Sequence, residues 1–245
     1  MSYPDKAYIE KLTGATVIPL ETTESTNDLA KKAALEGASD GTVYIAKVQT
    51  GGHGRGEHTF FCYDGGLYLS IVIRDASLPA ELITSAAAAA VCRAVRAAAC
   101  APVLIKWVND LYLGDKKVCG ILALRTGDAY VVGIGINVKE VSFPDDLRQT
   151  AAALCSDIDL NILAAEIIVG LRLAVNEPVK SIIEYCSKYS YTLGKEVTYI
   201  KNGKSFIGTA EKLLRDGSLF VRFACGGVDV LSSGEISVKT RKSQE

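Results

Sequence analysis

The sequence predicts an α+β fold, a mixed sheet flanked by helices with a small all-β barrel at the C-terminal end. Three observations carry this expectation. Through residues 1–190, β-branched strand-like runs alternate with alanine- and leucine-rich helical stretches. Within residues 106–122, two such runs flank Gly114-Asp115, a two-residue connection of the Gly-X kind that closes a hairpin. From Gly194 the texture changes to short alternating runs (196–200, 205–210, 219–223, 228–231, 236–238) punctuated by Asn202-Gly203, Asp216-Gly217, Gly226-Gly227 and Ser233-Gly234. That spacing reads as a barrel, so a first domain of residues 1–190 and a second of 191–245 are expected.

The elements follow in order. Residues 3–13 read as a helix and 16–21 as a strand. Ser25, Thr26, Asn27 and Asp28 then open a helix running to about Glu36, because such side chains accept the free amides of a first turn. Strands are expected at 41–48, 67–73 and 129–138, a long helix at 79–100, the hairpin at 103–125, and helices at 161–176 and 178–189, divided at Glu177-Pro178. Residues 139–156 read as a loop.

Composition narrows the function classes. The chain has 245 residues, 49% of them apolar, with 27 Lys+Arg against 28 Asp+Glu. This is a globular chain with no electrostatic footprint for nucleic acid, and the Arg241-Lys242 pair is too small to make one. Asp5, Lys6 and Glu10 exclude a signal peptide, and Glu81, Arg93 and Arg96 interrupt the most apolar stretch, so no membrane partner is expected. Seven cysteines without a Cys-x-x-Cys read as reduced thiols in a cytoplasm, with Cys92 and Cys100 as small core residues of the long helix. No metal-ligand cluster is evident.

Four stretches carry chemistry. Lys117 stands on a stiff β arm three residues before Gly120, an arrangement suited to holding an anion; its alternative is an exposed hairpin with solvated lysines. Residues 49–58 contain Gly51, Gly52, Gly54 and Gly56 and no aliphatic side chain, so the loop is either mobile or folds over a ligand through its amides. Gly133 and Gly135 strip one face of a strand, either for a flat ligand or for a closely packed helix. The Ser25-Thr26-Asn27 cluster is either a cap alone or also a holder for a polar ring.

Taken in order, this helix start, the glycine-rich loop, Lys106-Trp107-x-Asn109-Asp110, the lysine before glycine, the Gly133-x-Gly135-x-Asn137 strand end and Ser233–Ser237 resemble the biotin protein ligases over almost the whole chain. The resemblance implies a class II aminoacyl-tRNA-synthetase-like catalytic domain that binds biotin and ATP, with an SH3-like barrel after it. The resemblance is to the monofunctional type, since no segment reads as a DNA-binding winged helix. It implies that biotin attacks the α-phosphate of ATP to give biotinyl-5′-AMP, and that a lysine of a biotin carboxyl carrier domain, of acetyl-CoA carboxylase or a related carboxylase, then takes the biotin.

By position match, Lys117 and Arg55 are the catalytic pair. Ser25, Thr26, Asn27, Gln49, Gly52, His53, Gly54, Arg55, Lys117, Gly120, Gly133 and Gly135 form the biotin site. Arg55, His58, Phe60, Asn109 and Asn137 line the nucleotide side, with Asp110 organising Mg²⁺. Lipoate ligases, which share this chemistry, and a non-catalytic binder of biotin or its adenylate are the rival readings. Edge strands of the main sheet could pair in a homodimer.

The glycine-rich loop departs from the family pattern Gly-Arg-Gly-Arg-x-Gly-Arg. It reads Gly52-His53-Gly54-Arg55-Gly56-Glu57-His58, with Phe60 retained to stack on adenine, and Val108 replaces the proline usual between tryptophan and asparagine. Histidine titrates near pH 6.5, whereas arginine stays charged. Affinity for ATP should therefore fall as pH rises through about 6 to 8; a flat binding profile across that range would remove a role for His53 and His58.

Overall fold

The computed structural model describes residues 3–54, 59–154, 157–232, 234 and 236–239. Its main sheet has seven strands in the order β1-β2-β3-β7-β6-β5-β4. They are β1 (Val17–Thr23), β2 (Val43–Gln49), β3 (Gly66–Ile73), β4 (Leu104–Lys106), β5 (Asp110–Leu113), β6 (Lys116–Thr126) and β7 (Ala129–Asn137). The β1–β2 pair is parallel and every other pair antiparallel, so the sheet is mixed, as the sequence predicts.

The two faces of the sheet are used differently. Alternate residues of a strand point to opposite sides. On β3, Leu67, Leu69, Ile71 and Ile73 point into the larger core, where they meet α3 (Ile83–Ala98) and α4 (Leu160–Ala174). The run Ala86–Ala90 is fully buried, so small side chains let α3 lie close to its neighbours. α1 (Lys6–Thr13) packs on α4, and α5 (Val179–Lys188) packs on α3. On the opposite face, Val72 and Val131 meet Ala30 and Ala34 of α2 (Thr26–Leu35). α2 covers only part of that face, and the remainder forms the floor of a cavity.

A second sheet contains β8 (Glu196–Lys201), β9 (Lys204–Leu213), β10 (Leu219–Arg222), β11 (Val228–Leu231) and β12 (Ile236–Val238), in the order β11-β10-β9-β8-β12. Here the expectation needs correcting. Among the described residues the ladder is open, with β11 and β12 as edges rather than a closed barrel. Turn spacing reports the number of strands but not whether the first and last of them pair.

Three further differences are local. The long helix begins only at Ile83, after a 3₁₀ turn at Ala80–Leu82. The first arm of the hairpin breaks at 107–109, so that β4 pairs back on β5 instead of continuing it. Cys92 is buried, but Cys100 lies beyond the helix end with φ 49° and is exposed. No helix among the described residues is long and apolar enough to cross a membrane.

Trp107 joins the two sheets. It follows β4 in the chain, yet its indole is 6% exposed and belongs to the core of the second sheet, with Val197, Tyr199, Leu219 and Val221. Its Nε1–H donates to the Gly217 carbonyl at 3.0 Å, and its main-chain N–H donates to Thr192 Oγ1 at 3.0 Å. Truncating a buried tryptophan typically costs about 3–5 kcal/mol. Trp107→Ala is expected to lower the urea midpoint accordingly and to loosen the second sheet first, as read by amide exchange in β8 and β10.

Candidate active site

A cavity of about 770 Å³ opens on the free part of the sheet face. The main sheet supplies its floor, the start of α2 one wall, and Thr198, Ile200, Ser205 and Ser237 of the second sheet part of another. The strands contribute little side chain to the floor because glycines meet there. Gly120 of β6 stands opposite Gly135 of β7, and Gly133 stands opposite Ser70 of β3. A Cβ on Gly135 would lie 2.8 Å from the Phe60 ring, and one on Gly133 would lie 2.6 Å from Asn27 Nδ2.

The wall at α2 is a hydrogen-bonded chain. Ser25 is the N-cap, its hydroxyl accepting from the Asp28 amide at 3.4 Å. Gln49 Oε1 accepts from the Thr26 main-chain N–H at 2.7 Å and lies 3.0 Å from Thr26 Oγ1, while its Nε2 reaches Cys62 Sγ at 3.4 Å. Thr26 Oγ1 is also 2.9 Å from Ser70 Oγ. Burial pushes the Cys62 thiol up to about 11, against the opposing contact with Gln49. Asn27 is 5% exposed and lines the cavity, and among the described residues neither of its amide atoms has a hydrogen-bond partner.

Lys117 stands where the floor meets the hairpin. Its Nζ lies 2.8 Å from Asp110 Oδ1, in a pair whose side chains are 35% and 15% exposed respectively. The same ammonium is 6.0 Å from the centre of the Phe60 ring, and that ring covers Gly120 and Gly135. Lys117 is held from behind, where its N–H donates to the Thr150 carbonyl and its carbonyl accepts from Ala152, at 2.8 and 2.9 Å. Against the alternative of an exposed hairpin with solvated lysines, pairing across β5 and β6 partly buries this one.

Other expected residues divide into those the cavity collects and those it does not. Ser25, Thr26, Asn27, Gln49, His53, Gly54, Phe60, Asn109, Asp110, Lys117, Gly120, Gly133 and Gly135 all line it. Asn109 spends its amide on the Ile121 carbonyl at 3.0 Å, stitching β5 to β6. Asn137 is not in the lining; its Nδ2 donates to the Ala152 carbonyl at 3.2 Å and so holds the 150–154 segment. Gly52 also lies outside the lining. What approaches it closely is the chain itself, since a Cβ there would sit 2.7 Å from the Phe60 carbonyl. Arg55 and His58 lie outside the described residues. Ser70 was missed: a serine inside a wholly buried strand is the available signal, for burial without a partner disfavours it.

The charges at the rim form a second small network. His53 Nε2 lies 2.7 Å from Asp28 Oδ2, and Lys31 Nζ lies 2.6 Å from Asp28 Oδ1. Partial burial pushes the Asp28 carboxyl up, but the bonds and charges of Lys31 and His53 outweigh it and hold the carboxyl below its usual value. No group of three or more metal-ligating side chains occurs among the described residues. Asp110 is the one carboxylate among the described residues of the lining.

The biotin/lipoate A/B protein ligase family matches residues 20–139. The bifunctional ligase/repressor BirA of Escherichia coli is 30% identical over 251 residues, covering 96% of this chain and 78% of that protein. The chain belongs to the biotin/lipoate A/B protein ligase family. A biotin–[acetyl-CoA-carboxylase] ligase of Mycobacterium tuberculosis is 28% identical over 87% of this chain and 85% of its own length. In the BirA relatives from Bacillus, the matched part is 46% of the protein. Among solved structures, the biotin protein ligase of Aquifex aeolicus in complex with biotin and ATP aligns with a TM-score of 0.79 at 26% identity, over 91% of this chain and 98% of that one. In family terms the cavity floor, the α2 wall and Lys117 all fall within the matched residues.

A depressed folded-state carboxyl stabilises above its unfolded value, and the contribution is lost as pH falls through the folded one. Asp28 is half-exposed, so its ion pairs are worth at most about 1 kcal/mol. Asp28→Asn should therefore lower stability slightly at pH 7, and the gap to the parent should close as pH falls through the carboxyl's lowered titration range in paired urea titrations.

Proposed function

We propose that this chain is an ATP-dependent biotin ligase that forms biotinyl-5′-AMP and then transfers biotin to a lysine of a biotin carboxyl carrier domain. The observation that carries it is the position of the Lys117 ammonium. It stands at Gly120, on a glycine-lined floor partly covered by the Phe60 ring, across from the polar wall of Thr26, Ser70 and Gln49. A bicyclic acid lying on that floor with its ring at α2 would bring its carboxylate to this cation.

Adenylation requires two anions to meet. A carboxylate oxygen attacks the α-phosphorus and pyrophosphate leaves, so like charges must be brought together and the charge growing on phosphate neutralised. Lys117 supplies that charge and Asp110 holds it in place. In the second step the carrier lysine, as a free amine, attacks the acyl carbon and AMP leaves. Arg55 and His58 join the nucleotide side in this reading, with Phe60 as the adenine platform and Asn109 beside it.

Mg²⁺ typically binds through one or two carboxylates together with substrate phosphates. The donor set fits that pattern, with Asp110 as the protein's share, and the ion would shield the triphosphate. We take residues 1–190 as the catalytic unit, with a class II synthetase-like architecture, and 191–245 as an SH3-like unit roofing it. The name of the Mycobacterium relative supports a carboxylase carrier as the protein substrate.

Biotin-dependent release of pyrophosphate from ATP tests the reading; lipoate-dependent release would establish the rival ligase, and biotin binding without release would establish a binder. Lys117→Ala should lower adenylate formation at least 100-fold, in line with loss of a preorganised charge in an active site. Because it strands a largely buried Asp110, it should also cost stability. Adding Asp110→Asn should recover the stability and leave the adenylation defect.

A further inference from the structure

We infer that Tyr191, at the entry to the second sheet, is a positioning residue for the Lys117 ammonium: it clamps the bulged β5–β6 hairpin from outside the cavity. The inference rests on the ligase reading and names what holds its central cation in register.

The bulge is the first observation. Asp110 stands opposite Gly120 and Leu111 opposite Cys119, but Tyr112 stands opposite Lys117, so Val118 is an extra residue on β6. Strict alternation from Gly120 on the cavity floor would send Lys117 to the core side, with Cys119 and Ile121. Val118 is buried in that core as well, and its insertion turns Lys117 back to the cavity. Bulges re-aim side chains in this way, but they interrupt the ladder where they do so. β5 is a strand of only four residues, and the interruption leaves Tyr112 and Leu113 as its pairing beyond the bulge. The ladder alone is therefore a poor fixture for the cation at that point.

Tyr191 supplies the missing hold, on separate contacts. Its main chain is rooted on the edge of β4, where the Ile105 N–H donates to the Tyr189 carbonyl and the Tyr191 N–H to the Ile105 carbonyl, each at 2.8 Å. From there its ring stacks on Tyr112, with centroids 4.7 Å apart and planes at 28°. Its hydroxyl donates to Asp115 Oδ1 at 2.8 Å, in the hairpin turn. Burial, with the Asp115 carboxylate adding to it, pushes the phenol far above its ordinary value, so the proton stays in that bond. A cation attends each ring of the stack: Lys195 Nζ lies 3.3 Å from the centre of Tyr191, and Lys106 Nζ lies 5.3 Å from the centre of Tyr112. Tyr191 is buried and does not line the cavity, so it acts through Tyr112 and Asp115 rather than on substrate. Tyr112 follows Asp110 by two residues on β5, so a shift of this arm would move both the carboxylate and the ammonium it holds. A misplacement of about 1 Å can cost about 100-fold in rate.

The test separates positioning from stability in the whole chain. Tyr191→Leu should lower kcat for biotin-dependent pyrophosphate release by about tenfold or more, with KM for biotin within about threefold of the parent, because the α2 wall is untouched. In the unliganded protein, amide exchange should quicken across 110–119 and stay level in β3. Tyr191→Phe keeps the stack and should bring kcat back to within about threefold of the parent. Tyr185→Leu removes a ring of α5 that packs on Arg93 outside the cavity, and should lower the melting temperature without lowering kcat. Parental kcat in Tyr191→Leu, a matching rise in KM, a phenylalanine variant no better than leucine, an equal loss in Tyr185→Leu or an unfolded Tyr191→Leu each overturns the inference. A parent chain that releases no pyrophosphate with biotin sinks the ligase reading, whereas unchanged exchange across 110–119 sinks the clamp whatever the activity.

Discussion

One face of the β3–β7–β6 ribbon has to be empty while the other is full. The full side is ordinary: Leu67, Leu69, Ile121, Ile134 and Ile136 bury against α3 and α4. The empty side depends on Gly120 meeting Gly135 and on Gly133 meeting Ser70 in register. Glycine inside a strand sacrifices about 0.5–1 kcal/mol each through chain entropy. The alanine-rich α3 and the apolar back of the sheet offset that loss, so the cost of the cavity is carried by a core on its far side.

Around that floor the polar groups divide into occupied and idle ones. Gln49, Thr26, Asn109 and Asn137 are engaged with the protein itself and hold walls in place. Lys117 is engaged too, since Asp110 fixes the ammonium beside Gly120. Of these residues, Asn27 alone is unspent on both of its amide atoms. At the rim, the histidine that replaces a family arginine is tied to Asp28, so the base of the glycine-rich loop is moored to the first turn of α2.

Much of this was legible in the chain. The helix start at Ser25 and the Gly114-Asp115 turn are local events, encoded by capping and by φ preferences, and they appear where expected, whereas the first helix begins only at Lys6, capped by Asp5, rather than at residue 3. The bare strand face was legible because period-two glycines survive as a pattern. Three things were not. Closure of the second sheet is a pairing of its first and last strands, which no local pattern records. Gly52 and Asn137 match family positions, yet their surroundings come from residues 60, 62 and 152, remote enough that spacing does not reveal them. Ser70 carried its signal only through burial, and burial of a central strand becomes visible once the sheet is assembled.

The indole of Trp107 has a practical corollary. Its side chain completes the hydrophobic interior of the second sheet, while Lys106 and Asn109 on either side of it face the cavity. The two parts of the chain are therefore not interchangeable modules. A chimera that joined the main sheet to the second sheet of a relative would have to refit the socket formed by Gly217, Thr192 and Tyr199, or the mismatch would be transmitted within two residues to the cavity.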